Sequence, residues 1–106
     1  MAYVYRVGFD IGREQMTQLE IGGSLERVLG YLRTLLPSER GFIQARALHS
    51  LDPEAPMHLI FESTWETWDD LAAHQESSLL EDKVLLEFEP HVELKDLSSR
   101  IYEEVD

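Results

Sequence analysis

The sequence predicts an α+β fold in the order strand, helix, strand, strand, helix, strand, with the last helix split in two. Three stretches carry that reading. Residues 57–74 run from a strand into a helix. Met57, Leu59, Phe61 and Trp65 alternate with His58, Ile60, Glu62 and Thr64, and Trp68, Leu71 and Ala72 then fall at helical spacing. Residues 25–36 repeat Leu25, Val28, Leu29, Leu32, Leu35 and Leu36 every three or four positions, which lays an apolar stripe along one side of a helix. Residues 2–11 alternate again, with Tyr3, Tyr5, Val7, Phe9 and Ile11 on one face and Ala2, Val4, Arg6, Gly8 and Asp10 on the other.

In chain order, the first strand covers 2–11 and buries its odd face, and Val4 implies partial cover of the even face. Gly12 to Gln15 is a turn candidate. Met16 to Ile21 admits two readings, a short returning strand or an irregular lead-in to the helix. The alternation of Thr17, Leu19 and Ile21 with polar neighbours favours the strand. Gly22-Gly23 breaks that pattern, and Ser24 is placed to cap the helix. Pro37-Ser38 closes the helix and Gly41 completes the loop.

Phe42 to Ser50 is the next strand, with Ile43, Ala45 and Ala47 on one face and Phe42, Gln44, Arg46 and Leu48 on the other. The turn at 52–56 is short enough for this strand to pair antiparallel with the one at 57. Thr67 and Asp70 form a capping box for a helix over 67–75, and Ser78 and Glu81 form a second for a helix over 78–89. There Leu80, Val84 and Phe88 share a side with Leu85 beside them, and Pro90 stops the run. Residues 91–97 show no clear pattern. Arg100 to Val105 is the closing strand, with Ile101 and Val105 opposite Tyr102. This order is the ferredoxin-like βαββαβ arrangement.

A length of 106 residues is that of one domain, and a hydrophobic share of 43 % supports a core. So small a domain buries a modest part of its surface, and association adds burial. The strands are apolar on both faces while the helices cover one, so a homodimer through the other face is expected. Net charge is −12, from 21 acids against 9 bases. A phosphate backbone repels such a chain, and no basic stripe offsets this, so nucleic acid is not an expected partner. An anionic membrane surface is disfavoured on the same ground. With no cysteine, disulfides, thiolate metal sites and a cysteine nucleophile are excluded. The opening Met-Ala-Tyr-Val-Tyr-Arg has no apolar signal core and no run approaches transmembrane length, so a cytoplasmic location is expected. Dinucleotide, phosphate-loop and Gly-x-Ser-x-Gly signatures are absent, and no cofactor is expected.

Gly41-Phe42 after the first helix, the hairpin, Trp65-Glu66 leading to His74 nine residues after the tryptophan, and a closing strand around Tyr102 resemble the antibiotic biosynthesis monooxygenase (ABM) family. The likeness runs from Tyr3 to Val105. It implies a dimeric α+β barrel, in which two ferredoxin-like sheets pack face to face with helices outside and a cavity in each protomer. Some members oxidise electron-rich polycyclic phenols without metal or flavin, related branches degrade haem or act on signalling molecules and small quinols, and others have no known activity. Cofactor-free members commonly place an asparagine in the pocket, and this chain has none. The haem-degrading branch needs an axial histidine on the later helix, and residues 79–90 contain none.

Trp65 is the position that the resemblance places at the pocket, where an indole can stack on a flat aromatic substrate, or seal the strand end. His74 can act as general base or hydrogen-bond donor to a phenol near neutral pH, or order a loop. These two are the expected catalytic residues. Tyr5, on an aromatic face with Tyr3 and Phe9, can project its hydroxyl into the cavity. Trp68 can pack or form a lid edge. Arg46, with Arg6, can hold a phenolate or carboxylate, or pair with one of the many acids. Tyr5, Arg46 and Trp68 are thus the expected substrate contacts. His49 and His58 could meet across the hairpin, but two histidines without a carboxylate or thiolate between them do not make a metal site, and none is expected.

Overall fold

The computed structural model describes residues 2–12, 17–52, 56–77, 79–88 and 97–105, except the side chains of residues 18, 79–81, 85 and 86. In order, the elements are β1 (Tyr3–Ile11), α1 (Gln18–Leu35) with a 3₁₀ turn (Leu36–Ser38), β2 (Phe42–His49), β3 (Met57–Trp65), α2 (Trp68–Ser77), α3 (Leu79–Phe88) and β4 (Ser98–Glu103). The strands form one sheet in the order β2-β3-β1-β4, and every neighbouring pair is antiparallel. This is the ferredoxin-like arrangement, with the second helix of the pattern divided into α2 and α3. The turns at 12–15 and 52–56, the cap at Ser78 and Glu81, the packing of Leu80 and Leu85 and the stop at Pro90 lie wholly or partly outside the described residues.

The sheet has two unlike faces. On one, Tyr5, Val7, Phe9 and Ile11 of β1 and Leu59, Phe61 and Trp65 of β3 are buried under Val28 and Leu32 of α1, Leu71 of α2 and Val84 and Phe88 of α3. Phe88 tilts against Phe9 with ring centres 5.1 Å apart, which closes the core at its far end. Each such side chain contributes about 1.5–3 kcal/mol by leaving water. The other face carries no helix among the described residues. Its register aligns Arg46, Glu62, Arg6 and Arg100 in one row across the four strands, with Leu48, Ile60, Gly8 and Ser98 in the next.

Three local expectations are corrected. Thr17 to Ile21 does not return as a strand. Thr17 accepts from the Glu20 amide at 3.2 Å while Glu20 accepts from the Thr17 amide at 3.1 Å, a capping box that starts α1. Two consecutive glycines cost about 1 kcal/mol each inside a helix. The helix nonetheless runs through Gly22 and Gly23, because Ile21 and Ser24 on either side are buried. Ser24 is therefore interior to α1 and is not its cap. At the start of β2, Phe42 pairs with Trp65 while Gln44 pairs with the preceding Thr64, so Ile43 is the extra residue of a bulge. Phe42 consequently joins Ala45 and Ala47 against the core, and Ile43 is exposed. Finally, β4 begins at Ser98 and ends at Glu103, which leaves Val105 beyond the strand and exposed.

Candidate functional site

The site is assembled where the loop before β2 meets the start of α2. Gly41 has φ +80°, open to glycine, and a Cβ there would collide with the Asp70 carboxylate. Its carbonyl accepts the Glu66 amide at 2.8 Å, tying the loop to the end of β3. Thr67 caps α2, accepting from the Asp70 amide at 3.1 Å and donating its hydroxyl to the Asp70 carboxylate at 2.7 Å. These bonds set the helix against the sheet so that His74, two turns along, points inward.

His74 is 1 % exposed. Its ring stacks on Trp65 with centroids 4.5 Å apart at 26°, and Tyr5 meets it edge-on at 5.9 Å. The indole N–H donates to Ser63 Oγ at 2.9 Å, which fixes the plane of the stack. On the other side, His74 Nδ1 lies 3.3 Å from each carboxylate oxygen of Glu39. An ionised carboxylate only accepts, so Nδ1 carries the proton and donates. Nε2 is buried and has no hydrogen-bond partner among the described residues. Burial in this apolar shell lowers the His74 pKa from its ordinary value of 6.5, against the upward pull of the Glu39 charge and hydrogen bond. The imidazole is thus neutral at pH 7, with a bare basic nitrogen facing the interior. Such a nitrogen can take a proton from a hydroxyl brought to it, and the Glu39 charge can steady the resulting cation.

Of the residues predicted from sequence, the structure brings together Trp65, His74 and Tyr5. Trp68 stands at the head of α2, half exposed, edge-on to Tyr3 at 5.9 Å, and so flanks this group at the surface. Arg46 is not brought to it. It lies on the open face and donates to Glu62 at 2.7 Å, and Arg6 donates to the other oxygen at 2.6 Å. His49 and His58 do not meet either, because His49 pairs with Leu59, which puts it on the face opposite His58. His58 turns instead to Asp10 at 2.7 Å. No cluster of three or more potential metal ligands occurs among the described residues.

Glu39 and Ser63 escaped the sequence reading. Ser63 had a usable signal, since it lies two positions before Trp65 on the same strand face. Glu39 had none, being one acid of 21 in a loop without periodicity.

Fold and site together describe a ferredoxin-like α+β protein with a buried aromatic–histidine cluster behind its sheet. No protein-family profile and no curated protein sequence matches the chain. Solved structures do match, over nearly the whole chain. A dimeric protein of unknown function with a ferredoxin-like fold from Bacteroides fragilis has a TM-score of 0.70 at 12 % identity, covering 97 % of this chain and 96 % of that one. A proposed antibiotic biosynthesis monooxygenase from Deinococcus radiodurans has a TM-score of 0.64 at 15 % identity, covering 98 % and 93 %. A mutant of SnoaB, a cofactor-independent oxygenase from Streptomyces nogalater, has a TM-score of 0.62 at 10 % identity, covering 99 % and 94 %. At these identities the likeness is one of fold, and it includes ABM proteins among its members. No helix of the described residues is long and apolar enough to cross a membrane.

Proposed function

We propose that this chain binds a small phenolic or quinol-type molecule beside His74 and acts on it as an ABM-like, cofactor-independent monooxygenase, working as a homodimer. The observation that carries the reading is the bare Nε2 of a neutral histidine held by Glu39 and flanked by Trp65 and Tyr5. In the proposed reaction the substrate hydroxyl passes its proton to Nε2, and the Glu39 charge stabilises the imidazolium. The phenolate left behind is electron-rich at carbon, the form in which an aromatic ring reacts with dioxygen directly. Trp65, stacked on the imidazole and held by its bond to Ser63, keeps the His74 ring in place during the transfer. Trp68, at the surface end of the group, serves as the edge that moves to admit the substrate. The dimer is supported by the dimeric state of the Bacteroides fragilis protein and by the sheet face that carries no helix among the described residues.

A second reading, of a barrel that binds a small molecule without turning it over, is favoured by one observation. No asparagine is present in the chain to help orient a substrate. Oxygen uptake with a panel of anthrones and quinols separates the two. Turnover that is lost in His74→Gln supports the enzyme. Saturable quenching of tryptophan fluorescence without oxygen uptake moves the assignment to the binding protein. Sedimentation should show a dimer, and a stable monomer at micromolar concentration would sink that part of the proposal.

A further inference from the structure

The helix that covers Trp65 and Tyr5 is held to the sheet by few side chains. Leu71 and His74, three positions apart on its inner side, are the buried residues of α2. α1, by contrast, is held by Ile21, Ser24, Val28 and Leu32. The ends of α2 are fixed separately from its middle. Before it, the Glu66 amide donates to the Gly41 carbonyl at 2.8 Å, and Thr67 closes the first turn. After it, one residue separates Ser77 from α3, whose Val84 and Phe88 lie in the core. A helix fixed at both ends and gripped from inside by one leucine and one imidazole can roll outward while the sheet stays intact.

The imidazole grips only while it is neutral. In that form it stacks on Trp65 at 4.5 Å and donates from Nδ1 to Glu39. Protonated, it carries a second N–H at Nε2, and that atom is buried with no hydrogen-bond partner among the described residues. A buried cation with an unpaired donor is strongly disfavoured against the same cation in water. The titratable groups that meet the ring are Glu39, from the loop before β2, and Tyr5, edge-on from β1, while β3 presents the uncharged Trp65. Asp70, one turn earlier on α2, is engaged by Thr67 and Arg40. The Glu39 side chain is one-quarter exposed, so it can accompany the cation to the surface.

We propose that α2 is a lid latched by His74, and that proton uptake by this imidazole rolls the helix outward and uncovers Trp65 and Tyr5. Trp68, the first residue of the helix, turns with it. At neutral pH the ring is uncharged and the open form is the minor one, and acid enlarges it. A phenolic substrate reaches Nε2 through the same opening, and closing re-forms the stack around it. Only that step rests on the function proposed above, since the lid itself needs no ligand. The opening lies on the helix side of the sheet, which a dimer through the opposite face leaves uncovered.

The chain has two tryptophans, so Trp68→Phe leaves Trp65 as the sole reporter. Its quenching by acrylamide is followed from about pH 7.5 to about pH 5, a range that spans histidine titration, with far-UV circular dichroism to show that helices and sheet persist. The quenching constant should rise about threefold or more on acidification, as the population of the open form grows. Adding His74→Gln should hold it at its neutral value across the range. Leu71→Ala, which loosens the other grip, should raise quenching several-fold already at neutral pH. Quenching that stays flat with pH in the Trp68→Phe chain, or that Leu71→Ala leaves unchanged, overturns the lid. A rise that comes only together with loss of circular dichroism overturns it too, because the whole fold has then opened. No substrate enters these measurements, so a failure of turnover with every phenol and quinol counts against the proposed enzyme and not against the lid.

Discussion

Among the described residues, two histidine–carboxylate pairs lie one on each side of the same sheet. His58 and Asp10 meet on the open face at 2.7 Å, with side chains 42 % and 65 % exposed. His74 and Glu39 meet behind the sheet at 3.3 Å, with the imidazole fully covered and the carboxylate one-quarter exposed. The shorter contact lies in the wetter place. For His74, desolvation outweighs the nearby negative charge, and the pKa goes down rather than up. Covering by Trp65 and Tyr5, more than the carboxylate, makes that histidine a candidate base. On the open face the same two residue types keep their contact with solvent in the protomer.

The largest test of this contrast is Trp65→Ala, which strips the cover from the buried pair. A fully buried tryptophan that stacks on His74 and meets Phe42 edge-on at 5.6 Å should cost about 3–5 kcal/mol in urea unfolding. If the variant folds, imidazole proton shifts should show the His74 pKa rising toward its usual value. A loss below about 1 kcal/mol would mean the stack contributes little packing.

Next is Glu62→Gln on the opposite face. Glu62 is 3 % exposed and bridges Arg6 and Arg46, whose side chains are 35 % and 53 % exposed. Removing its charge leaves two arginines adjacent. A fully buried pair would lose more, but solvent screens both cations, so about 1–2 kcal/mol is expected. Because the penalty is repulsion between cations that are partly exposed in the protomer, raising the salt should reduce it. A penalty that salt does not touch would place its origin in packing.

A smaller, pH-confined effect belongs to His74. Its folded pKa is depressed, so the unfolded chain binds its proton more readily. The stabilisation is fully present above the unfolded value of about 6.5 and is lost as pH falls from there through the folded pKa. Thermal melts of wild type should therefore decline over that range more steeply than those of His74→Gln. Glu39→Gln should depress the pKa further, since Glu39 is the group pulling it up. Equal slopes in wild type and His74→Gln would remove desolvation as the controlling influence. The smallest effect is that of Asp10→Asn, where an exposed pair is broken and stability should change by no more than about 0.5 kcal/mol.

Much of the fold was legible because strands and helices write their periods into the chain. Met57 to Trp65 alternates cleanly, and its odd positions are those under the helices. The start of α1 was misread although its signal was present. Thr17 and Glu20 spell a capping box, but the glycine pair after them reads locally as a break, and tertiary burial of Ile21 and Ser24 overrode it. Ile43 was misplaced for another reason. A bulge shifts the faces of a strand by one residue, and alternation alone does not show where the extra residue sits.

Of the site, the sequence by itself determined that Trp65 shares a strand face with Met57, Leu59 and Phe61 and that His74 stands about two turns into the following helix. These are consequences of periods of two and of 3.6, which any chain with this pattern obeys. Only the tertiary structure decided that Glu39 closes on His74 across 35 positions of sequence, with Nε2 left without a hydrogen-bond partner among the described residues, and that Arg46 lies across the sheet from the histidine. Those contacts depend on which strands become neighbours and on the angle at which the capped helix leaves β3, and no repeat along the chain records either.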